Sequence, residues 1–185
     1  MHIGYFDGAS KGNPGEAAIG CVLVDPAGST VWEHSEAIGV ATNNEAEYTA
    51  LIRLLENAQA LGLKEVHIKG DSQLVVNQVS GDWKINHAHL FVLCEEAQNL
   101  LRTFKKTKLT WVPREKNKQA DKLSNMALQK PQKQFAGKIE KVSDYIFIAY
   151  GTETYAVDLL HEVCTCPAFV NGKMPCKHLV AVQNE

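Results

Sequence analysis

The first fifteen residues limit the fold more than any other stretch. Ile3-Gly4-Tyr5-Phe6-Asp7 reads as a strand that delivers one carboxylate, Asp7, to its end. Gly8, Gly12, Asn13, Pro14 and Gly15 then supply the backbone freedom and fixed φ of a tight reversal. Strand-like runs at 17–24 and 30–38, joined by the turn Asp25-Pro26-Ala27-Gly28, make the start of the chain an antiparallel meander. Thr42-Asn43-Asn44 opens a helix whose apolar stripe is Ala46, Ala50, Leu51, Leu54, Leu55, Ala58 and Leu61, and Gly62 ends it. A short strand at 64–69 follows that helix and is therefore expected to run parallel to the first. Helices at 72–79, 89–104 and 117–128 and a strand at 108–112 complete the first part, with a break at Gly81-Asp82-Trp83-Lys84. This order predicts an α/β domain: a mixed five-stranded sheet, three antiparallel strands and then parallel ones, with flanking helices.

A chain of 185 residues with 45% hydrophobic content can bury one sizeable core and one small unit. Around 130–137 the composition turns to Gln, Lys, Pro and Gly without an apolar period, which reads as a linker between domains at 1–129 and 138–185. Beyond it, 138–150 and 153–160 alternate like a hairpin turning at Gly151. The net charge of −2 gives no global polycation, but Arg102, Lys105, Lys106, Lys108, Arg114, Lys116, Lys118 and Lys122 form a local basic cluster. Such a cluster is either a solvated helix end or a surface for phosphates. No signal-peptide pattern opens the chain, and no apolar run reaches the roughly 18–20 residues that span a membrane. Of the five cysteines, Cys21 and Cys94 sit in apolar patterns and read as ordinary buried thiols. A reducing cytoplasm is the expected compartment, and no membrane partner is expected.

Glu47, Asp71 and Asp121 each fall where a helix begins. Taken singly, each has a plainer account. Glu47 completes a capping box with Asn44, Asp71 caps the helix at 72–79, and Asp121 favours the positive end of a helix dipole. Taken with Asp7, they put four acids at one sheet edge, where their repulsion has to be offset by cations. A set of carboxylates alone suits Mg²⁺ or Mn²⁺. Two such ions about 4 Å apart activate a water and stabilise the leaving oxygen of a phosphodiester.

The tail carries a different set, Cys164-x-Cys166-x9-Cys176-x-His178. Three thiolates and one imidazole satisfy a tetrahedral Zn²⁺, and a piece this small needs such a staple. Four protein ligands leave no open position, so the ion is expected to be structural. His161 lies beside the pattern and reads as a surface residue.

Residues 1–129 resemble type 1 ribonuclease H, of the compact archaeal-like or reverse-transcriptase-like branch. Four motifs carry the resemblance: Asp7-Gly8-Ala9 with Gly12-Asn13-Pro14-Gly15; Thr42-Asn43-Asn44-Glu45-Ala46-Glu47; Gly70-Asp71-Ser72-Gln73; and Asn117-Lys118-Gln119-Ala120-Asp121. The resemblance implies endonucleolytic hydrolysis of the RNA strand of RNA–DNA hybrids, leaving 5′-phosphate and 3′-hydroxyl ends. It implies that Asp7 bridges two Mg²⁺ or Mn²⁺ ions, that Glu47 and Asp71 each hold one side, and that Asp121 completes the coordination of the second ion. Gly8, Asn13, Asn44 and Gln73 match minor-groove readers, and Thr42 and Asn13 match part of a DNA-phosphate pocket; Asn43 belongs to the same substrate-facing set. Arg114 stands where many members carry a loop histidine, and of the usual basic protrusion only Trp83 and Lys84 remain. The tail resembles a SWIM-type zinc motif, which implies an accessory domain that binds nucleic acid or protein. The rival readings are a non-catalytic or weakly active binding module, and a nuclease with a broader range of RNA substrates.

Overall fold

The computed structural model describes residues 1–129, 137–171 and 176–183. It divides into two compact units, Met1–Lys130 and Pro131–Glu185. The expected linker at 130–137 lies, but for Gly137, outside the described residues.

The first unit holds a five-stranded sheet of order β3-β2-β1-β4-β5. Its strands are β1 (His2–Gly12), β2 (Gly15–Val24), β3 (Thr30–Ala41), β4 (Glu65–Gly70) and β5 (Lys106–Trp111). β1, β2 and β3 pair antiparallel, while β4 pairs parallel to β1 and β5 parallel to β4, as the intervening helices require. The helices are α1 (Asn43–Ala60), α2 (Gln73–Ser80), α3 (Ala88–Arg102) and α4 (Lys118–Gln129). β2 is buried along almost its whole length without alternation, because α1 covers one face of the sheet and α4 the other. Phe6, Ile19, Tyr48, Leu51, Leu54, Leu55, Val66, Ile68 and Val75 make the centre of the core beneath α1.

One expectation changes in a way that matters for the site. β1 does not end at Asp7; it runs on to Gly12 in a continuous ladder with β2. The parallel ladder with β4 is what ends there, at the pair Phe6↔Gly70. Asp7 therefore sits at a split in the sheet, in a strand held firmly on its other side. A chain end would be free to fray; this position is not.

The second unit forms a four-stranded sheet, β6-β7-β8-β9, from Lys138–Lys141, Ile146–Tyr150, Thr154–Asp158 and Val163–Cys164. The expected single strand at 138–150 is broken by a turn, in which Val142 and Ser143 both donate to the Ile146 carbonyl. The hairpin reversal around Gly151 is present. Two short helices follow, α5 (Pro167–Val170) and α6 (Lys177–Gln183), the second built on the apolar run from Leu179 to Val182.

Candidate active site

Strand alternation decides which way Asp7 points. Gly4, Phe6 and Gly8 face α1, so Asp7 faces the opposite side, toward α4. Gly8 is what lets the first helix come close: a Cβ there would lie 2.2 Å from the Glu47 amide nitrogen. With α1 seated directly on β1, the first helical turn brings Glu47 to the split in the sheet. Asp71 arrives from the residue just after β4.

Oxygens of Asp7, Glu47 and Asp71 all lie within 4.8 Å of one another. Asp7 and Glu47 are 5% and 6% exposed, an unusual depth for two carboxylates side by side. Burial raises the Asp7 carboxyl to about 6; Asp71 and Asp121 add to the rise, and a hydrogen bond from Ser124 opposes it. Burial, reinforced by Asp7 and Asp71, pushes Glu47 well above the usual carboxylate range. Glu47 Oε2 is buried with no hydrogen-bond partner among the described residues. Close, buried and under-satisfied oxygens are what a hard divalent cation accepts, so the residues fit that group.

For Glu47 and Asp71 the plainer accounts do not hold. The capping box of α1 is made by Thr42 and Glu45, two residues earlier than the Asn44–Glu47 pairing, so Glu47 is left for the cluster. Ser72, not Asp71, caps α2, with its hydroxyl accepting from the Val75 amide at 3.3 Å. Asp121 does lie in the first turn of α4, as expected of a dipole-favoured acid. It is near enough to raise Asp7, but it stands outside the tight trio and takes an ion pair from Arg114.

The substrate-facing candidates divide. Gly8, Asn43 and Arg114 line an open groove of about 360 Å³ together with the trio, and Lys11 and Asn125 line it too. Asn13 accepts a 3.0 Å hydrogen bond from the Asn43 amide, so it shapes the β1–β2 turn against the helix start. The Thr42 hydroxyl is held by Glu45 in the cap, donating at 2.6 Å and accepting at 3.2 Å. Asn44 is half-buried and Gln73 exposed; neither lines the groove.

Two site residues escape a reading by motif. Asn117 Nδ2 donates both to the Phe6 carbonyl at 2.8 Å and to Asp71 Oδ1 at 2.5 Å, tying the two split strands together. Ser124 donates to Asp7. Asn117 opens a motif noted above, which was a usable signal; a serine inside a helix carried none.

In the second unit, ligand atoms of Cys164, Cys166, Cys176 and His178 also lie within 4.8 Å of one another, and all four residues are buried. Cys164 Sγ is 3.8 Å from His178 Nδ1, and Cys166 Sγ accepts from the Phe169 amide as the cap of α5. Burial pushes the Cys164 thiol up to about 12 and raises the Cys176 thiol as well. His161 is exposed and bound to Asp158, away from this set. Cys21 and Cys94 are buried, free thiols.

Comparison with known proteins places the first unit. A family described as reverse transcriptase-like matches residues 5–127. The ribonuclease HI of Halobacterium salinarum is 49% identical over 124 residues, 67% of this chain and 62% of that protein. The bifunctional protein Rv2228c of Mycobacterium tuberculosis is 47% identical over 123 residues, 66% of this chain but 34% of that one. The chain thus spans less than two thirds of the length of these curated relatives. The crystal structure of LC11-RNase H1 in complex with an RNA/DNA hybrid superposes with a TM-score of 0.67 at 40% identity, covering 70% of this chain and 98% of that one.

Proposed function

This chain belongs to the reverse transcriptase-like family of type 1 ribonuclease H domains, and from that premise we propose that it hydrolyses the RNA strand of RNA–DNA hybrids. The observation that carries the proposal is the close trio of Asp7, Glu47 and Asp71, the first two buried, with one Glu47 oxygen lacking a partner among the described residues. Asp7, Glu47 and Asp71 would hold the divalent ions, with Asp121 at the rim. Mg²⁺ or Mn²⁺ bound there supplies an activated water and charge stabilisation for the leaving oxygen, giving 5′-phosphate and 3′-hydroxyl ends. Gly8, whose lack of a Cβ seats α1 on the strand, lines with Asn43, Lys11 and Arg114 the groove that a nucleic-acid backbone would enter. Asn44 and Gln73 would read the minor groove from its margin, where 2′-hydroxyls are displayed. The hybrid-bound relative at 40% identity supports the substrate.

The second unit, from about residue 138 onward, is read as a SWIM-type accessory domain. Cys164, Cys166, Cys176 and His178 would hold one structural Zn²⁺ in a closed set, and the domain would engage nucleic acid or protein. Five free thiols, three of them ligands in this reading, suit the reducing cytoplasm. Among the described residues no helix is long and apolar enough to cross a membrane.

The test is cleavage of a labelled RNA–DNA hybrid by zinc-loaded protein in Mg²⁺ and in Mn²⁺, beside duplex RNA and with Asp7→Asn as control. RNA-strand cutting that disappears in the variant is the expected result. No cutting with either metal would leave the non-catalytic binding module standing, and cutting of duplex RNA would widen the substrate class.

A further inference from the structure

Each acid of the trio is reached by a different part of the chain. Asp71 is held by Asn117, and the Glu47 side chain comes in from the helix seated on Gly8. Asp7 is met from α4. In the β1–β2 ladder Asp7 lies directly opposite Gly20, and both present to that helix. A Cβ on Gly20 would stand 2.1 Å from the Ala120 carbonyl oxygen and 2.5 Å from the Ser124 amide nitrogen. The helix backbone therefore rests on the strand itself at this point. That contact lowers the next inward-facing side chain, Ser124, onto the acid.

Ser124 is fully buried. Its hydroxyl reaches Asp7 Oδ2 and lies 2.9 Å from the Asp121 carbonyl oxygen. One hydroxyl carries one proton, and a carboxylate oxygen is the stronger acceptor, so the donor is directed at Asp7. A buried serine in the middle of a helix is not there for helix propensity, since alanine would serve better.

We propose that Ser124 is a positioning residue for Asp7: its hydroxyl fixes one carboxylate oxygen, and so sets the trio in the arrangement that receives divalent cations. Gly20 makes this possible by letting α4 sit against β2. The inference rests on the reading of the trio as a cation site. An unheld Asp7 side chain would have to surrender rotational freedom each time an ion bound, whereas a held one has already done so. Outer-shell partners of metal ligands typically change affinity by about 10–100-fold, which sets the size of the expected effect.

The experiment is Mn²⁺ binding to the full zinc-loaded chain, read by the loss of free-ion electron paramagnetic resonance signal, for wild type, Ser124→Ala and Asp7→Asn. Ser124→Ala should fold normally, with thermal midpoint within a few degrees of wild type, since alanine favours the helix. Its Kd for Mn²⁺ should rise about tenfold. Hybrid cleavage should need correspondingly more Mn²⁺ for half-maximal rate, while the rate at saturating Mn²⁺ recovers most of the wild-type value. A serine that only fills space would move neither the Kd nor the half-saturation point. Equal Kd values in folded wild type and Ser124→Ala overturn the inference. A wild type whose Mn²⁺ binding is absent, or unchanged in Asp7→Asn, overturns the reading of the trio itself and this inference with it.

Discussion

Asp7, Glu47 and Asp71 stand on a sheet and helix that have a large core of their own, whereas Cys164, Cys166 and Cys176 are members of the small core they sit in. In the first unit twenty buried residues pack without any help from the acids, and the carboxylates are forced together against their own repulsion. In the second, Phe147, Ala149, Val157, Leu179 and Val182, with Ile139, Tyr155, Leu159 and Phe169 packed against them, make up the smaller core around the sulfurs among the described residues. The same geometric fact, four ligand atoms or three in one small volume, thus means opposite things. The acid site is a strain that a stable fold can bear; on the proposed zinc reading, the sulfur site would be a condition for its fold to exist. Removing the cation should relieve little in the one and dismantle the other.

The largest effect follows from that contrast. Structural zinc contributes on the order of 10 kcal/mol to small domains of this kind. Stripping zinc with a chelator, or replacing Cys176 by Ser, should abolish amide protection across β7, β8 and α6. Protection in β1, β2 and α1 should stay as it was. Hydrogen exchange on the whole chain separates the two regions in one measurement. Persisting protection in β7 and β8 of zinc-free protein would break the comparison, because the sulfurs would then be passengers.

Next in size is Glu47→Gln. The amide keeps the volume but loses the charge of a carboxylate whose second oxygen has no partner among the described residues. Loss of a metal-ligand charge is worth several kcal/mol in the transition state, so cleavage in Mg²⁺ should fall by roughly a hundredfold to a thousandfold. Single-turnover rates at saturating hybrid check it. A drop of less than threefold would mean that Glu47 is merely tolerated at the sheet edge.

How far the chain could be read in advance depended on the range of the interactions. The antiparallel meander, the parallel return of β4 and the stripe of α1 follow from local periodicity and connection length, so they were legible. Asp7, Glu47 and Asp71 were legible as a group because each lies in a short motif marked by Gly or Asn, although Asp7 stands within its strand rather than at its end. Which residue caps each helix was not, since Thr42, Asn43 and Asn44 are all good caps and only packing against Gly8 fixes the register. Ser124 was hidden for a different reason, and Asn117, though marked by its motif, gave no sign of what it binds. Their partners, Asp7 and Phe6, are 117 and 111 residues away, and nothing local announces such a contact. In the tail, the ligand spacing was plain but the break at 142–145 was read through, although Val142 falls out of step with Ile139 and Tyr145 beside the turn formers Ser143 and Asp144.

The smallest predicted effect sharpens the comparison most, because its sign depends on the cation. The Asp7 carboxyl stands at about 6 in the folded chain against an ordinary 3.8. A carboxyl raised by folding holds its proton in the native state after the unfolded chain has released it. Stability linked to this group is therefore fully present below about pH 4 and is lost as pH rises through 6. In EDTA at pH 7.5, Asp7→Asn should be more stable than wild type, by up to about 3 kcal/mol for a shift of this size. The difference should shrink toward zero near pH 4, where wild type is protonated as well. Comparing variant with wild type at each pH cancels carboxylates such as Glu45, whose lowered value pulls the opposite way. Adding saturating Mn²⁺ at pH 7.5 should reverse the order, since the ions bind the wild-type trio and stabilise only the folded form. Urea denaturation followed by tryptophan fluorescence gives all three numbers. A variant less stable than wild type in EDTA would show that the acids are not strained at all, and that the sheet edge accepts them without a cation.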